Sequence, residues 1–198
     1  MNDRELFFIT QRVAEGNVVV YPTDTLYALG ADIYNEDAVR RVFLIKHRPL
    51  SEPLPIAVAS KEEIQRVASL HEKAERLIDV FLPGPLTIIL EKKDVPDIVT
   101  ADLPKVALRI PRNQKALQLL SATGPLTVTS ANIHGKRVPS TVTGIKRQLR
   151  TKFVAAYMDD GELHGKPSTI VDLTKEKPVI LREGVIPKEK IVSVIKDE

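Results

Sequence analysis

Residues 16–30 read Gly-Asn-Val-Val-Val-Tyr-Pro-Thr-Asp-Thr-Leu-Tyr-Ala-Leu-Gly and contain the most informative change of character in the chain. Residues 18–20 are three valines without polar alternation, which is typical of a strand buried on both faces of a sheet. Pro22 has no N–H to donate, so strand pairing ends there. Residues 23–25, Thr-Asp-Thr, then provide two hydroxyls and one carboxylate. The stretch predicts a buried strand that delivers polar groups to a pocket, and a capped turn from strand to helix is the alternative.

A second candidate element is the loop that begins at residues 46–49, Lys-His-Arg-Pro. A helical pattern over residues 36–46 precedes it, and three prolines between residues 49 and 55 predict an ordered, extended segment. In an extended segment the side chains of Lys46 and Arg48 project to the same side. Such a pair suits a polyphosphate, because Arg forks onto two oxygens while Lys acts as a mobile charge. A solvated helix C-terminus, at which both cations balance the helix dipole, is the alternative.

A third polar segment ends another predicted strand. Residues 127–132 read Thr-Val-Thr-Ser-Ala-Asn, and the spacing of Ser130 and Asn132 places both side chains on one side of an extended chain. Ser and Asn are also ordinary turn residues, so this pair alone is a weak indication of a site. Several strands that end in small polar groups are harder to explain without a ligand, because ligands of open α/β sheets bind beyond the strand ends.

Hydrophobic periodicity predicts an alternation of helices and strands. The helical patterns lie at residues 3–15, 36–46, from Ser60 onward with a break near His71, 114–121, 142–151 and 187–196. The strand patterns lie at residues 17–21, 55–59, 86–91, 105–110, 125–130, 153–158, 169–173 and 178–182, and residues 92–104 are the most loop-like. These elements predict an α/β (α+β-like) fold, in which helices pack against a twisted, mostly open mixed sheet.

Composition is that of a globular protein. Of the 198 residues 43% are hydrophobic, enough for a sizeable core, and we predict a single domain over residues 1–198. The absence of cysteine excludes disulfides, thiolate catalysis and thiolate zinc sites. The four histidines lack metal-ligand spacing, so we expect no metal site formed by protein groups alone. No apolar run reaches the roughly 18 residues of a membrane span and no secretory signal is present, which predicts a cytoplasmic protein.

Charge is distributed unevenly along the chain. Residues 1–100 contain 12 Lys and Arg against 16 Asp and Glu, whereas residues 101–198 contain 17 against 10. The stretch from Leu103 to Met158 contains ten basic residues and no acidic one. Such a stretch favours a polyanion, either a nucleoside triphosphate or an RNA backbone, and a merely solvated basic face is the alternative. Neither the P-loop nor the dinucleotide fingerprint occurs, so any bound ATP depends on side-chain cations.

Six motifs in order along the chain resemble the YrdC/TsaC family. They are residues 21–30 (Tyr-Pro-Thr-Asp-Thr-Leu-Tyr-Ala-Leu-Gly), 46–54 (Lys-His-Arg-Pro followed by Pro-Leu), 83–87 (Pro-Gly-Pro-Leu-Thr), 108–111 (Leu-Arg-Ile-Pro), 129–132 (Thr-Ser-Ala-Asn) and 167–172 (Pro-Ser-Thr-Ile-Val-Asp). The resemblance covers nearly the whole chain, and the ordered set is far more specific than any single motif. Longer family members carry an added C-terminal domain, so the chain is similar to the single-domain form.

The resemblance implies an enzyme with the YrdC-like fold and a concave, basic ligand cleft. The implied activity is that of a nucleotidyltransferase, which makes threonylcarbamoyl-AMP and pyrophosphate from ATP, L-threonine and bicarbonate or CO₂. In this family the product serves the threonylcarbamoyladenosine modification of tRNA next to the anticodon. The implied partners are these substrates, tRNA or double-stranded RNA, and a downstream threonylcarbamoyl transferase complex. Mg²⁺ is expected only with ATP, on whose phosphates it keeps several waters, and no tightly bound cofactor is expected.

Individual side chains also receive roles from the resemblance. Lys46 and Arg48 would bind the triphosphate as the catalytic cations, with Lys46 also near the carbamoyl group. The other implied ATP-binding residues are Ser130, Asn132, Arg112 and Arg182, and the implied threonine-binding residues are Thr23, Thr25, Tyr27 and Ser168. The chain departs from the family pattern at His47, where Gly is common, and at Ala57, where His is often found.

A non-catalytic RNA-binding module is the alternative function, because the same basic stretch would suit double-stranded RNA or tRNA. Only four Tyr and five Phe are available for base stacking, which disfavours recognition of single strands. An RNA-binding role also leaves the polar groups beyond the predicted strand ends without a purpose.

Overall fold

The computed structural model describes residues 2–195, in which helices and strands alternate. The helices are α1 (Asp3–Ala14), α2 (Glu36–Lys46), α3 (Lys61–Val67), α4 (Glu72–Phe81), α5 (Asp97–Thr100), α6 (Gln114–Thr123), α7 (Val142–Leu149) and α8 (Lys188–Ile195). The strands are β1 (Val18–Pro22), β2 (Tyr27–Gly30), β3 (Ile56–Ala57), β4 (Leu86–Glu91), β5 (Lys105–Arg109), β6 (Leu126–Thr127), β7 (Thr129–Ser130), β8 (Val154–Tyr157), β9 (Thr169–Asp172) and β10 (Val179–Arg182).

The strands form two hydrogen-bonded sheets, and each sheet has mixed strand directions. The four-stranded sheet has the order β7-β2-β1-β8, in which β1 is antiparallel to β2 and parallel to β8. The six-stranded sheet has the order β10-β9-β4-β5-β3-β6, in which β4 is parallel to β9 and antiparallel to β5. The predicted α/β class with mixed pairing and flanking helices is confirmed, although the strands are divided between two sheets.

The polar segment after β1 is the turn of a hairpin and does not lead into a helix. Antiparallel pairing extends from Val19 opposite Gly30 to Pro22 opposite Tyr27. The Thr23 hydroxyl oxygen closes the turn by accepting hydrogen bonds, each 3.1 Å long, from the backbone N–H groups of the second and third residues after it. The strand-to-helix alternative is therefore wrong. The sequence does not predict β2, because its four apolar and small residues are too few to show a period.

Two further segments differ from the prediction. Residues 125–130, predicted as one strand, are interrupted at Val128, so that β6 pairs with β3 while β7 pairs with β2. Residues 92–104, predicted as loop, contain α5, a single turn too short to produce a periodic pattern. The predicted break near His71 is confirmed, since this residue caps α4. Residue 196 of the last predicted helix lies outside the described residues.

One large apolar cluster contains side chains from both sheets. Val20 and Leu29 of the four-stranded sheet and Leu86 and Ile88 of the six-stranded sheet are fully buried in it. Burial of each such side chain stabilises the fold by about 1.5–3 kcal/mol. The two sheets therefore share a core, which holds the polar segments at the ends of their strands in fixed relative positions.

His47 occupies a backbone position that favours glycine. It follows α2 with φ of 52° in the left-handed region, and its side chain is exposed. A residue with a Cβ costs about 1–2 kcal/mol in this conformation. Substitution by glycine removes that cost, but the larger entropy of glycine in the unfolded state offsets about half of the stability gained. We expect His47→Gly to raise the free energy of unfolding in urea by about 0.5–1 kcal/mol. Arg40→Gly, inside the same helix, should lower it by about 1 kcal/mol, and a destabilised His47→Gly protein would contradict the assigned strain.

Candidate functional site

A cavity of about 470 Å³ is lined by residues of both sheets. Its floor is the face of the six-stranded sheet that carries Ile89, Ala107 and Ile170. The predicted site residues that line it are Thr23, Thr25, Tyr27, Arg48, Ser130, Ser168 and Arg182. Segments far apart in the sequence are thus brought to one place, as expected for strand ends in an α/β fold.

Arg109 is the most buried cation that lines this cavity, at 5% exposure, and the sequence predicts no role for it. Its guanidinium donates hydrogen bonds to Thr25 Oγ1 at 2.8 Å, to Asp24 Oδ1 at 2.6 Å and to the Gly84 carbonyl at 3.2 Å. Three of the five N–H groups that a guanidinium carries are engaged in this way. The other two belong to the terminal nitrogens Nη1 and Nη2, which suits a bidentate anion in the cavity.

The carboxylate predicted for the pocket, Asp24, serves as a support for this arginine. Besides Arg109 it accepts a hydrogen bond from the backbone N–H of Arg112 at 2.9 Å. Burial lowers the pKa of Arg109, and the charge of Asp24 opposes that shift. Residues 106–110 are apolar except for Arg109. A charge inside an apolar strand is stable only with a partner, so this arginine is the sequence signal that could have identified the site.

Ser168 and Arg182 meet just before the first residue of β9. The Ser168 hydroxyl forms a 2.8 Å hydrogen bond with the hydroxyl of Thr87. Arg182 donates from Nε and Nη2 to the Ser168 carbonyl, at 3.1 and 2.9 Å, and from Nη2 to its hydroxyl at 3.3 Å. Burial and the nearby positive charge of Arg109 both lower the pKa of Arg182. Two mutually repelling guanidiniums beside one cavity favour an anion between them.

The hydroxyl groups of the hairpin turn are held by hydrogen bonds. The Thr23 and Thr25 oxygens lie 3.0 Å apart, and Thr25 accepts from Arg109. The Tyr27 hydroxyl donates to the carbonyl of Gly161 at 2.8 Å and accepts from the N–H of Asp160 at 2.8 Å. Burial raises the pKa of Tyr27 to about 12, so this phenol remains protonated at neutral pH. Its two hydrogen bonds fix the loop of residues 160 and 161 beside the cavity.

Lys46 is buried at the end of α2, and Arg48 follows the left-handed His47. The premise that both cations extend from one stretched segment is therefore wrong. Lys46 Nζ donates to the Ser130 carbonyl at 2.5 Å, to the Asn132 carbonyl at 3.0 Å and to Asn132 Oδ1 at 3.1 Å. Burial, together with the charge of Arg48, lowers the pKa of Lys46 to about 7. The ammonium thus ties the helix end to the segment after β7.

Ser130 and Asn132 are brought together as their spacing predicts. The Ser130 hydroxyl donates to Asn132 Oδ1 at 2.6 Å. The Asn132 amide donates to the carbonyls of Ile133 and Lys136, at 3.0 and 2.6 Å. Only Ser130 of this pair lines the cavity, and Asn132 supports it from behind.

Arg112 lies outside the cavity lining. Its side chain is exposed, and Nε donates to the Pro83 carbonyl at 2.9 Å. Ala57, the second departure from the family pattern, is fully buried in β3 opposite Arg109 and does not line the cavity. Its methyl group is part of the core beneath the site.

The ten basic residues between Leu103 and Met158 do not form one surface. Lys105 and Arg109 line the cavity, and Lys105 pairs with the buried Asp172 at 2.7 Å. Lys115 pairs with Asp160 at 2.9 Å. Lys146, Arg147 and Arg150 are exposed on or next to α7, and Lys136, Arg137 and Lys152 are also exposed. The basic residues predicted to favour a polyanion therefore form two groups, one at the cavity and one on the surface.

The donor set of the cavity suits carboxylates and phosphates. Guanidiniums and hydroxyls line it, whereas its carboxylate neighbours Asp24 and Asp172 are paired with cations. Within residues 2–195, no group of three or more His, Cys, Asp or Glu side chains is placed to hold a metal ion. No helix of these residues is long and apolar enough to cross a membrane.

Comparison with known sequences identifies relatives over most of the chain. A family model for Sua5, YciO and YrdC proteins, described as telomere recombination, matches residues 11–184. A putative threonylcarbamoyl-AMP synthase of Methanocaldococcus jannaschii is 44% identical over 94% of this chain and 88% of its own length. The threonylcarbamoyl-AMP synthase of Pyrococcus abyssi is 41% identical over 92% of this chain. The chain spans 55% of the length of that longer relative.

Solved structures agree with these sequence matches. Pyrococcus abyssi Sua5 complexed with L-threonine superposes with a TM-score of 0.94 at 38% identity, over 98% of this chain and 58% of that one. Escherichia coli YciO gives a TM-score of 0.88 at 31% identity, over 98% of this chain and 94% of that one. The family match, the relatives and the shared fold agree on one conclusion: the chain belongs to the Sua5/YciO/YrdC family.

Proposed function

We propose that this chain is a threonylcarbamoyl-AMP synthase, an enzyme of the nucleotidyltransferase class. The observation that carries the proposal is a buried guanidinium, Arg109, with two N–H groups left for a bidentate anion beside the hydroxyl of Thr25. Arg48 and Ser130 also line this cavity of about 470 Å³, and we assign a second anion to them. Relatives that are 36–44% identical bear the name of this activity, which supports the assignment.

L-Threonine is the proposed occupant of the Arg109 side of the cavity. Its carboxylate matches the terminal nitrogens of Arg109, with Arg182 as a second cation. Its side-chain hydroxyl matches the hydroxyl groups of Thr25 and Ser168, which line the same space. A site built to pair a substrate hydroxyl rejects an analogue that lacks it, because its own polar groups are then left unpaired. The Pyrococcus abyssi Sua5 structure in complex with L-threonine supports threonine as a ligand of this fold.

ATP is the proposed occupant of the side formed by Arg48 and Ser130. Arg48 would contact the phosphates directly, and Ser130 would hold phosphate or ribose oxygens. Lys46, whose three protein contacts are already made, and Asn132 would act by keeping Ser130 in place. Mg²⁺ would enter as part of the substrate on the phosphates of ATP, since the cavity supplies cations and hydroxyls.

The proposed reaction requires positioning and charge neutralisation. The amine of threonine forms an N–C bond with CO₂ derived from bicarbonate and loses a proton. The resulting carboxylate oxygen attacks the α-phosphorus of ATP, an O–P bond forms, and the bond to pyrophosphate breaks with its electron pair. Fixed cations lower the barrier, because negative charge grows on phosphate oxygens during the transfer.

The adenylate would serve threonylcarbamoylation of tRNA in the cytoplasm through a downstream transferase complex. The exposed cations Lys146, Arg147 and Arg150 are the proposed contacts for an RNA backbone. Lys146 also lies 4.7 Å from the centre of the Tyr157 ring, which supports its side chain on the surface. An RNA-binding role would be additional to the enzyme activity and separate from the cavity.

Thermal unfolding with ligands tests this pair of sites. A ligand that binds the native state raises the melting temperature according to its concentration and affinity. We expect L-threonine and Mg-ATP to raise it singly and to raise it most together. L-Valine, which has the same shape without the hydroxyl, is the matched control and should have little effect. An equal shift with valine would contradict recognition of the threonine hydroxyl.

A further inference from the structure

The guanidinium of Arg48 is held by protein groups at the wall of the cavity. Its Nε donates to the Glu52 carbonyl at 3.2 Å, and its Nη2 donates to the Pro53 carbonyl at 3.0 Å. Its Nη1 lies 3.3 Å from Glu52 Oε2 and 3.4 Å from His134 Nδ1. A phosphate fork needs N–H groups on two neighbouring nitrogens. Nη1 carries two N–H groups and faces two acceptors, so a phosphate that forks onto Nη1 and Nη2 has to displace Glu52 or His134.

Glu52 is the acceptor that is easiest to displace. Its carboxylate is 40% exposed, whereas the Arg48 side chain is 18% exposed. His134 Nε2 lies 3.7 Å from the same carboxylate, and the backbone N–H of His134 donates to the Lys46 carbonyl at 2.7 Å. Glu52 can therefore turn into solvent without breaking the backbone contacts that hold the loop and the helix end together.

Resting on the proposed function, we propose that Glu52 is a positioning residue that competes with the phosphates of ATP for Arg48. Its carboxylate lies against Nη1 of the guanidinium at the cavity wall. Binding of ATP exchanges this carboxylate for a phosphate on the same Nη1. The exchange removes a negative charge from beside the triphosphate, where two like charges would repel each other.

A purely structural role of Glu52 predicts the opposite effect of its loss on ATP affinity. If Glu52 only held Arg48 in its binding position, loss of the carboxylate would loosen the guanidinium and weaken ATP binding. If Glu52 competes, its loss strengthens ATP binding. Glu52→Gln distinguishes the two cases, because it removes the charge while the backbone carbonyl that accepts from Nε stays in place.

The experiment measures the dissociation constant of α,β-methylene-ATP by calorimetry without threonine. For Glu52→Gln we expect it to fall about two- to fivefold, the range for a partly exposed ion pair. Glu36→Gln is the control, because it removes the same charge from an exposed pair with Arg40 on α2. It should change the dissociation constant by less than about twofold, since surface charges at a distance are screened.

A double-mutant cycle tests whether the effect passes through Arg48. In an Arg48→Ala background, Glu52→Gln should leave the weakened affinity unchanged. If the single Glu52→Gln protein binds the analogue as weakly as the wild type, or more weakly, the proposed competition is wrong. It is also wrong if Glu52→Gln strengthens binding equally in the Arg48→Ala background. If the folded wild-type protein does not bind the analogue at all, the proposed nucleotide site itself is wrong and the competition falls with it.

Discussion

Arg109→Ala is expected to abolish threonine-dependent pyrophosphate release and to lower the free energy of unfolding by about 3–5 kcal/mol. The substitution leaves the carboxylate of Asp24 without its buried partner, at a pair distance of 2.6 Å in the wild-type protein. It also removes the donor to Thr25 Oγ1 and the terminal nitrogens proposed for the threonine carboxylate. Urea unfolding and pyrophosphate release measure the two losses separately.

Arg109→Lys separates the structural from the catalytic role. A lysine keeps the charge beside Asp24 but cannot fork onto a carboxylate, so stability should recover more than activity. Arg40→Ala breaks an exposed pair with Glu36 and serves as the control, with a cost below about 1 kcal/mol. An Arg109→Ala protein that folds and releases pyrophosphate at the wild-type rate would remove Arg109 from the site.

Asn132→Ala is expected to reduce pyrophosphate release by about a hundredfold, because a displacement of reacting groups by about 1 Å has an effect of this size. Asn132 accepts from both Lys46 and the Ser130 hydroxyl and donates to two carbonyls of the following loop. Its loss leaves the buried ammonium without one acceptor and frees the Ser130 side chain. Steady-state rates at saturating ATP measure the effect.

Removal of charge from α7 is the matched comparison for Asn132. A protein with Lys146→Gln, Arg147→Gln and Arg150→Gln should keep most of its pyrophosphate release, because these exposed side chains do not line the cavity. Its binding to tRNA should depend less on salt, by roughly one unit of slope for each lost phosphate contact. Equal loss of turnover in this protein and in Asn132→Ala would show that the division into cavity and surface cations is wrong.

Most of the site residues are predictable from sequence because their types and spacing act locally. Thr23 and Thr25 follow β1, Ser130 ends β7 and Ser168 precedes β9, so period and turn chemistry place these side chains at strand ends. The contact between Ser130 and Asn132 likewise follows from an i, i+2 spacing. The mixed α/β class follows from the alternation of long periodic segments.

Long-range pairing accounts for what the sequence does not predict. Arg109 finds Asp24 across 85 positions, and no local pattern identifies that partner. The helix period places Lys46 on the buried face of α2 with Val39 and Phe43, but it does not identify the acceptors, 84 and 86 positions away, that satisfy its charge there. The two-residue strands β3, β6 and β7 are defined by their neighbours, which is why the division into two sheets is not visible in the sequence.

Pyrophosphate release by the purified protein tests the central claim most directly. Mg-ATP, L-threonine and bicarbonate are supplied together, and then each is omitted in turn in buffers freed of CO₂, with L-valine in place of threonine as a further control. The account predicts release only when threonine, bicarbonate and ATP are all present, with AMP recovered in threonylcarbamoyl-AMP. Pyrophosphate release that continues without threonine, or at the same rate with valine, would contradict it.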